Sequence, residues 1–433
     1  MQKAFLFFLS MGFFLNGSAQ KFSQQFYTTD IQQYWNAYDQ IIQEKDSAKQ
    51  ASLLQRYYLD PASEGLKSLI RLRNYSVGEY VQNIRNRPQF WASMRAPMLN
   101  LQQQLPAIEK DIKKLKKIYP DLEAVPIYFS VGAFRTGGTT DGKMVLIGSE
   151  YSLAGAKVVT TELPVSMQNF FSEYKPWDHL GLLCTHEYIH TQQKESPGNL
   201  LTDCLREGIA EYLSCMATGK KSNSSAIDFG KAHQDEVVAQ YVKDLFLMSR
   251  HHHWLWSENP NQFKVRDLGY YIGYEIAERY YKMAKDKKLA VKTLIEIDFS
   301  DDAAVERLVD TVKLLPKPIA ELYADYEKQR PTVISIQPFA NGTADVKPGV
   351  MKITIVFSEP LNGYNTGIDL GPLGLAHFPK MNPKREWSAD HRSITLEVTL
   401  EPGKKYQFVV DNTFRKEDEV RLKPYLVEFS TGN

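Results

Sequence analysis

At Arg330-Pro331 the period of this chain changes, and that change limits what it can fold into. Beyond it, "TVISIQPF", "VMKITIVFSE", "SITLEVTL", "KYQFVVD" and "YLVEFST" alternate apolar and polar residues. Gly, Pro, Asn and Asp separate them, as expected of half-buried strands joined by turns. Roughly 100 residues of this texture predict a small all-β sandwich. Before the break the dominant period is that of a helix, so the chain reads as helical first and β last.

The helical part has internal punctuation. "DIQQYWNAYDQIIQE" has helical spacing, with Thr29 or Asp30 as N-cap, and "APMLNLQQQLPAIEKDIKKLKKIYP" is an amphipathic stretch stopping at Pro120. Then "VPIYFSVG" and "MVLIGSEY" are short β-rich runs around the Gly/Thr loop "AFRTGGTTDGK", a hairpin-like unit. Helical texture returns from Asp178 to about Gln329, broken by "PGN" at 197–199. A chain of 433 residues is too long for one small core, so two or three domains are expected.

Two further features place the chain. Lys3 is followed by the apolar run "AFLFFLSMGFFL" and the small-residue stretch "NGSA", the pattern of a secretory signal peptide cleaved after Ala19. The run is short for a membrane span, and no Cys follows it to accept a lipid. The mature chain is therefore expected outside the cytoplasm, periplasmic or secreted, with no transmembrane segment and not as a lipoprotein. Lys plus Arg number 52 against 51 Asp plus Glu, which gives no electrostatic reason to expect nucleic acid as a partner. Three cysteines, Cys184, Cys204 and Cys215, are too few for a disulfide scaffold. Cys204 and Cys215 share one predicted helix about 16 Å apart, too far to bridge. Buried thiols are expected, with a Cys184–Cys204 bond as the other option.

The chemistry concentrates in "LLCTHEYIHTQQK". Positions i and i+4 share a helix face, so His186 and His190 can aim both imidazoles at one metal ion. Glu187 lies one step round the helix, where a carboxylate reaches a water on that metal without ligating it. After "ESPGN", the segment "LTDCLREGIAEYLSCMATG" reads as a second helix, capped by Thr202 or Asp203 and stopped by Gly219. It carries Glu207 and Glu211, again i and i+4. Periodicity does not choose between them.

With these residues the chain resembles the gluzincin metallopeptidases, the thermolysin-like and aminopeptidase N-like families, which pair HExxH with a glutamate on a following helix. "HEYIH…EGIAEY" is similar above all to predicted zinc proteases of bacteria. The resemblance covers roughly residues 120–290, and Arg206 stands where those families usually have Asn. It implies Glu207 as third zinc ligand, Glu211 as partner of a ligand histidine, and Glu187 as general base. It implies an edge strand beside the metal, for which "DGKMVLIGSEY" is the candidate, with the "TGGTT" loop closing over the cleft. It also implies a downstream donor to the oxyanion: Tyr270, Tyr271 or Tyr274 in "LGYYIGYEI", or a histidine of "RHHHWLW" such as His252. The G-x-M-E-N motif that reads a substrate amine is missing, leaving Glu150 as a substitute anchor.

The expected fold is therefore α+β: a signal peptide over 1–19, a helical region over 20–120, a mainly helical zincin-like core with a small sheet over 121–330, and an immunoglobulin-like sandwich over 331–433. The expected activity is hydrolysis of peptide or protein substrates with one Zn2+ per chain. Two other readings are a non-catalytic binding or adhesion protein on a gluzincin scaffold, and a zinc hydrolase of a non-peptide substrate. The β-domain is a candidate surface for cell-surface or protein contact.

Overall fold

The computed structural model describes residues 24–257 and 261–433; the expected signal peptide over 1–19 lies outside the described residues. The chain is α+β. Helices occur along the chain to Gln329, one four-stranded sheet lies in its first 150 residues, and seven further strands after Gln329 form two sheets. Among the described residues, no helix is long and apolar enough to cross a membrane. Internal packing divides the chain into two compact units, one ending at Gln192 and the other starting at Gln193.

In the first unit, strands β1 (Phe26–Tyr27), β2 (Ile127–Ser130), β3 (Gly138–Asp141) and β4 (Met144–Gly148) form a sheet in the order β1-β2-β4-β3. The two β-rich runs read as a hairpin are β2 and β4, and they run parallel, with Ile127 opposite Val145. Every residue of β2 and four of the five in β4 are buried, the near-continuous apolar pattern of parallel strands covered on both faces. The Gly/Thr loop contains β3, which turns back antiparallel on β4 and forms the edge of the sheet. The strand within the expected edge segment "DGKMVLIGSEY" is thus β4, an interior strand. The connection is long enough for the chain to fold back on itself, so the edge passes to β3. The helix Thr29–Ile41 has Thr28 as its N-cap, one residue before the expected Thr29 and two before Asp30. Asp30 is buried inside its first turn, where it accepts hydrogen bonds from the Ser63 N–H at 3.0 Å and the Ser130 hydroxyl at 2.7 Å.

The helix carrying HEYIH, Pro176–His190, starts with proline at its first position, where the missing N–H has no partner to lose. Leu180, Leu182, Cys184, Tyr188 and Ile189 bury it on more than one face. The Tyr188 hydroxyl ties it to the chain entering β2, accepting from the Val125 N–H at 2.8 Å and donating to the Glu123 carbonyl at 3.2 Å.

In the second unit, the helix Leu200–Thr218 is capped by Asn199, whose side chain accepts from the Thr202 N–H at 3.0 Å. The cap falls earlier than Thr202 or Asp203 because Asn199 is the first polar residue after the Pro-Gly break, and its side chain reaches the exposed N–H groups of the first turn. Gly219 ends the helix with φ of 75°, the left-handed stop read from the sequence. This helix lies in backbone contact with Leu268–Met283. A Cβ on Gly208 would sit 2.1 Å from the Tyr274 amide nitrogen, and one on Gly273 would sit 1.8 Å from the Cys204 carbonyl oxygen. All three cysteines are buried free thiols, and burial pushes each thiol pKa up.

The end of the chain forms two sheets. Strands β5 (Val333–Gln337), β6 (Gly349–Phe357), β8 (Lys380–Trp387) and β9 (Ser393–Leu400) pair in the order β5-β6-β9-β8. Strands β7 (Ile368–Leu370), β10 (Lys405–Val410) and β11 (Tyr425–Ser430) pair in the order β11-β10-β7. Their inward residues, among them Ile353, Ile355, Leu396, Val398, Phe408 and Val427, make one apolar cluster of their own.

Gly208→Ala should lower unfolding stability by about 1–3 kcal/mol, because its methyl group meets backbone that cannot swing away. Gly78→Ala, in the helix Val77–Asn86 with nothing within 4 Å of the new methyl, should instead stabilise by about 0.4–1 kcal/mol. Denaturant titration compares the two; an unchanged midpoint for Gly208→Ala would mean that the helices separate without cost.

Candidate metal centre

His186 and His190 stand one turn apart near the end of their helix, and their Nε2 atoms are 3.0 Å apart. Two ring nitrogens that close either share one proton or both offer lone pairs to a cation. For comparison, bonds of about 2.0–2.1 Å at tetrahedral angles put two ligating nitrogens about 3.3 Å apart. The third member is Glu207: one ligand atom from each of His186, His190 and Glu207 lies within 4.8 Å of the others. All three side chains are buried, at 7%, 6% and 5% exposure. Burial at this depth disfavours a carboxylate unless donors or a cation compensate it. Two imidazoles and a carboxylate are a donor set that suits a divalent transition-metal ion, so the group could hold one.

Glu207 also has protein neighbours. Tyr270, one turn into the helix Leu268–Met283, hydrogen-bonds to its carboxylate, and Trp256 hydrogen-bonds to Tyr270 in turn. Burial first, and Glu207 second, hold the Tyr270 hydroxyl protonated well above the usual tyrosine range, so it stays a donor. The Arg206 guanidinium lies 3.7 Å from Glu207 Oε1. Glu211 is buried one turn on, with the Cys215 thiol 3.9 Å from its Oε1.

The other downstream donors lie elsewhere. Tyr271 donates to Gln234 Oε1 at 3.2 Å, and its ring fills the space above Gly230. The ring of Tyr274 packs edge-on against Tyr212 with centroids 5.2 Å apart, under the Lys231 ammonium. His252 is exposed and lies against His253, while His251 pairs with Asp203 at 2.8 Å. Of the four residues singled out as oxyanion donors, Tyr270 is the one bonded to a member of the metal group.

Glu187 is 8% exposed, and its neighbour in the first unit is β3. A Cβ on Gly138 would lie 2.7 Å from Glu187 Oε1 and 2.8 Å from its Cγ. The carboxylate therefore rests against bare backbone at the start of the edge strand. No sequence rule pointed to Gly138 individually; the "TGG" run gave only a loop. Glu150 does not face outward as an amine anchor would. It is fully buried, with Oε2 accepting from the Gly132 N–H at 2.8 Å and Oε1 from the Phe134 N–H at 3.0 Å. Burial pushes its carboxyl up to about 7, against the pull of those N–H groups.

Comparison of the chain with known protein families, curated proteins and solved structures finds no match.

Two substitutions test this geometry. In a chain that hydrolyses a substrate at this site, Gly138→Ala should keep the fold while displacing the Glu187 carboxylate, lowering turnover about 10- to 100-fold; equal kcat in variant and parent would mean that the carboxylate has room to stay. Glu207→Ala should abolish tight metal binding in competition with a chelator. Glu211→Ala should weaken it about 10- to 100-fold, the usual effect of losing a group that orients a ligand. The reverse order would put Glu211 on the metal.

Proposed function

We propose that this chain is an extracytoplasmic zinc-dependent peptidase of gluzincin type. The observation that carries the reading is the buried His186, His190 and Glu207 group with Glu187 next to the first histidine on the same helix. The N-terminal apolar segment supports export. Two histidines and one glutamate leave one tetrahedral position open, the arrangement of catalytic rather than structural zinc sites. Zinc, when bound, lowers the pKa of a water towards about 7 and polarises a carbonyl oxygen.

The chain's own residues do the rest. Glu187 accepts the proton of the attacking water and passes it to the leaving amine. Gly138 limits where that carboxylate can stand. Tyr270 holds the Glu207 carboxylate through its O–H, so the ligand presents one orientation. As the sheet's edge strand, β3 suits an extended peptide that pairs with it beside Glu187.

Metal analysis of the purified chain should find about one zinc per molecule, and a mixed-peptide assay should find cleavage that stops on chelation and returns with zinc. Glu187→Gln should keep the metal and lose about 100-fold or more in kcat, since it removes the base and spares the ligands. Full cleavage by metal-free protein, or wild-type turnover in Glu187→Gln, would sink the reading.

A further inference from the structure

The loop over 131–137, between β2 and β3, is held at nearly every residue. Val131 exchanges two hydrogen bonds with the buried Tyr58 hydroxyl, at 2.6 and 2.9 Å, and also accepts from the Tyr80 hydroxyl at 2.9 Å. Gly132 and Phe134 donate their N–H groups to the two oxygens of Glu150. The Phe134 carbonyl accepts from the Tyr151 hydroxyl at 3.3 Å, and the Gly137 carbonyl from the Gly148 N–H at 3.0 Å. The next residue is Gly138, against which Glu187 rests.

Within this loop Phe134 has φ of 62°, the left-handed region that bulky side chains seldom enter. Such strain, of order 1–3 kcal/mol, persists only where the surroundings over-determine it. The Glu150 carboxylate bonds the Phe134 amide itself. Gly132 is required on the same oxygen's flank: a Cβ there would lie 2.7 Å from Glu150 Oε1 and 2.7 Å from the Tyr75 hydroxyl.

We infer that Glu150 is a positioning residue: its carboxylate clamps the strained 131–137 loop and so fixes the start of β3 against Glu187. Glu150 is not one of the His186, His190 and Glu207 group; it acts through the backbone N–H groups of Gly132 and Phe134. The inference rests on the assignment of Glu187 as general base.

Glu150→Gln keeps the shape and replaces one N–H acceptor with a donor. The full-length variant should fold, keep the parent's metal content, and lose about 10- to 100-fold in kcat on a short peptide with KM little changed. Amide exchange over 131–138 should quicken in the same protein. Gly132→Ala perturbs the same carboxylate from the loop side and should give the same split, which covers the case in which Glu150→Gln does not fold. Asp30→Asn, at a buried carboxylate of the same unit that bonds Ser63 and Ser130, is the structural control and should lower thermal stability with kcat unchanged. Folded, metal-loaded Glu150→Gln and Gly132→Ala proteins with parental kcat overturn the inference. So does a loss of kcat in Asp30→Asn as large as theirs. A wild-type chain that hydrolyses no peptide fails differently, because it removes the functional reading before any variant is compared.

Discussion

A carboxylate buried as deeply as Glu207 is tolerable only if its charge is met, and much of the second unit follows from that requirement. The Tyr270 hydroxyl reaches it because the helices Leu200–Thr218 and Leu268–Met283 approach to backbone contact. That approach exists because residues 208 and 273 have no side chains. The glycine after the glutamate in "REGIAEY" is therefore as much part of the site as the glutamate. Arg206 adds a cation nearby, and a metal ion would add the rest of the compensation. Binding of such an ion and folding of the chain would then be linked, since the unfolded state offers no assembled ligand set.

The histidines meet the same problem differently. Their helix is buried on several faces, so His186, Glu187 and His190 are held in an interior fixed by Leu180, Leu182, Cys184, Tyr188 and Ile189. These three side chains are thus placed by packing rather than by exposed loops. Buried protonated thiols on both helices leave the nitrogen and oxygen donors without thiolate competitors.

Much of this was legible in the sequence, and the limits have physical causes. β5, β6, β9, β10 and β11 stand within the five alternating runs, because each turns apolar residues into one shared core. β7 and β8 were missed: the first has three residues, and the second reads "KMNPKREW", a charged and proline-containing run whose pairing comes only from its neighbour. The i, i+4 histidines were visible because one helix carries both. The choice between Glu207 and Glu211 was not, since both share a face. A helix as rich in tyrosine as "LGYYIGYEI" says nothing of which ring meets a carboxylate. The parallel pairing of β2 with β4, the contact of Gly138 with Glu187, and the grip of Glu150 on Phe134 are made through space between segments whose local patterns carry no sign of one another.

β8 has a consequence of its own. It is an outer strand of its sheet, and the pairing with β9 shifts register between Met381 and Arg385, around Pro383. Lys380, Lys384, Arg385 and Glu386 crowd the same few residues, with Glu386 joined to Lys352 and Lys384. A foreign strand approaching that margin would find a missing amide hydrogen, a break in the ladder and the exposed charges of Lys380, Lys384 and Glu386. Such a margin resists the lateral stacking through which exposed sheets grow into fibrils. A partner that adds a strand to this sheet is therefore turned away at β8, and the domain can be crowded at high local concentration without polymerising along that margin.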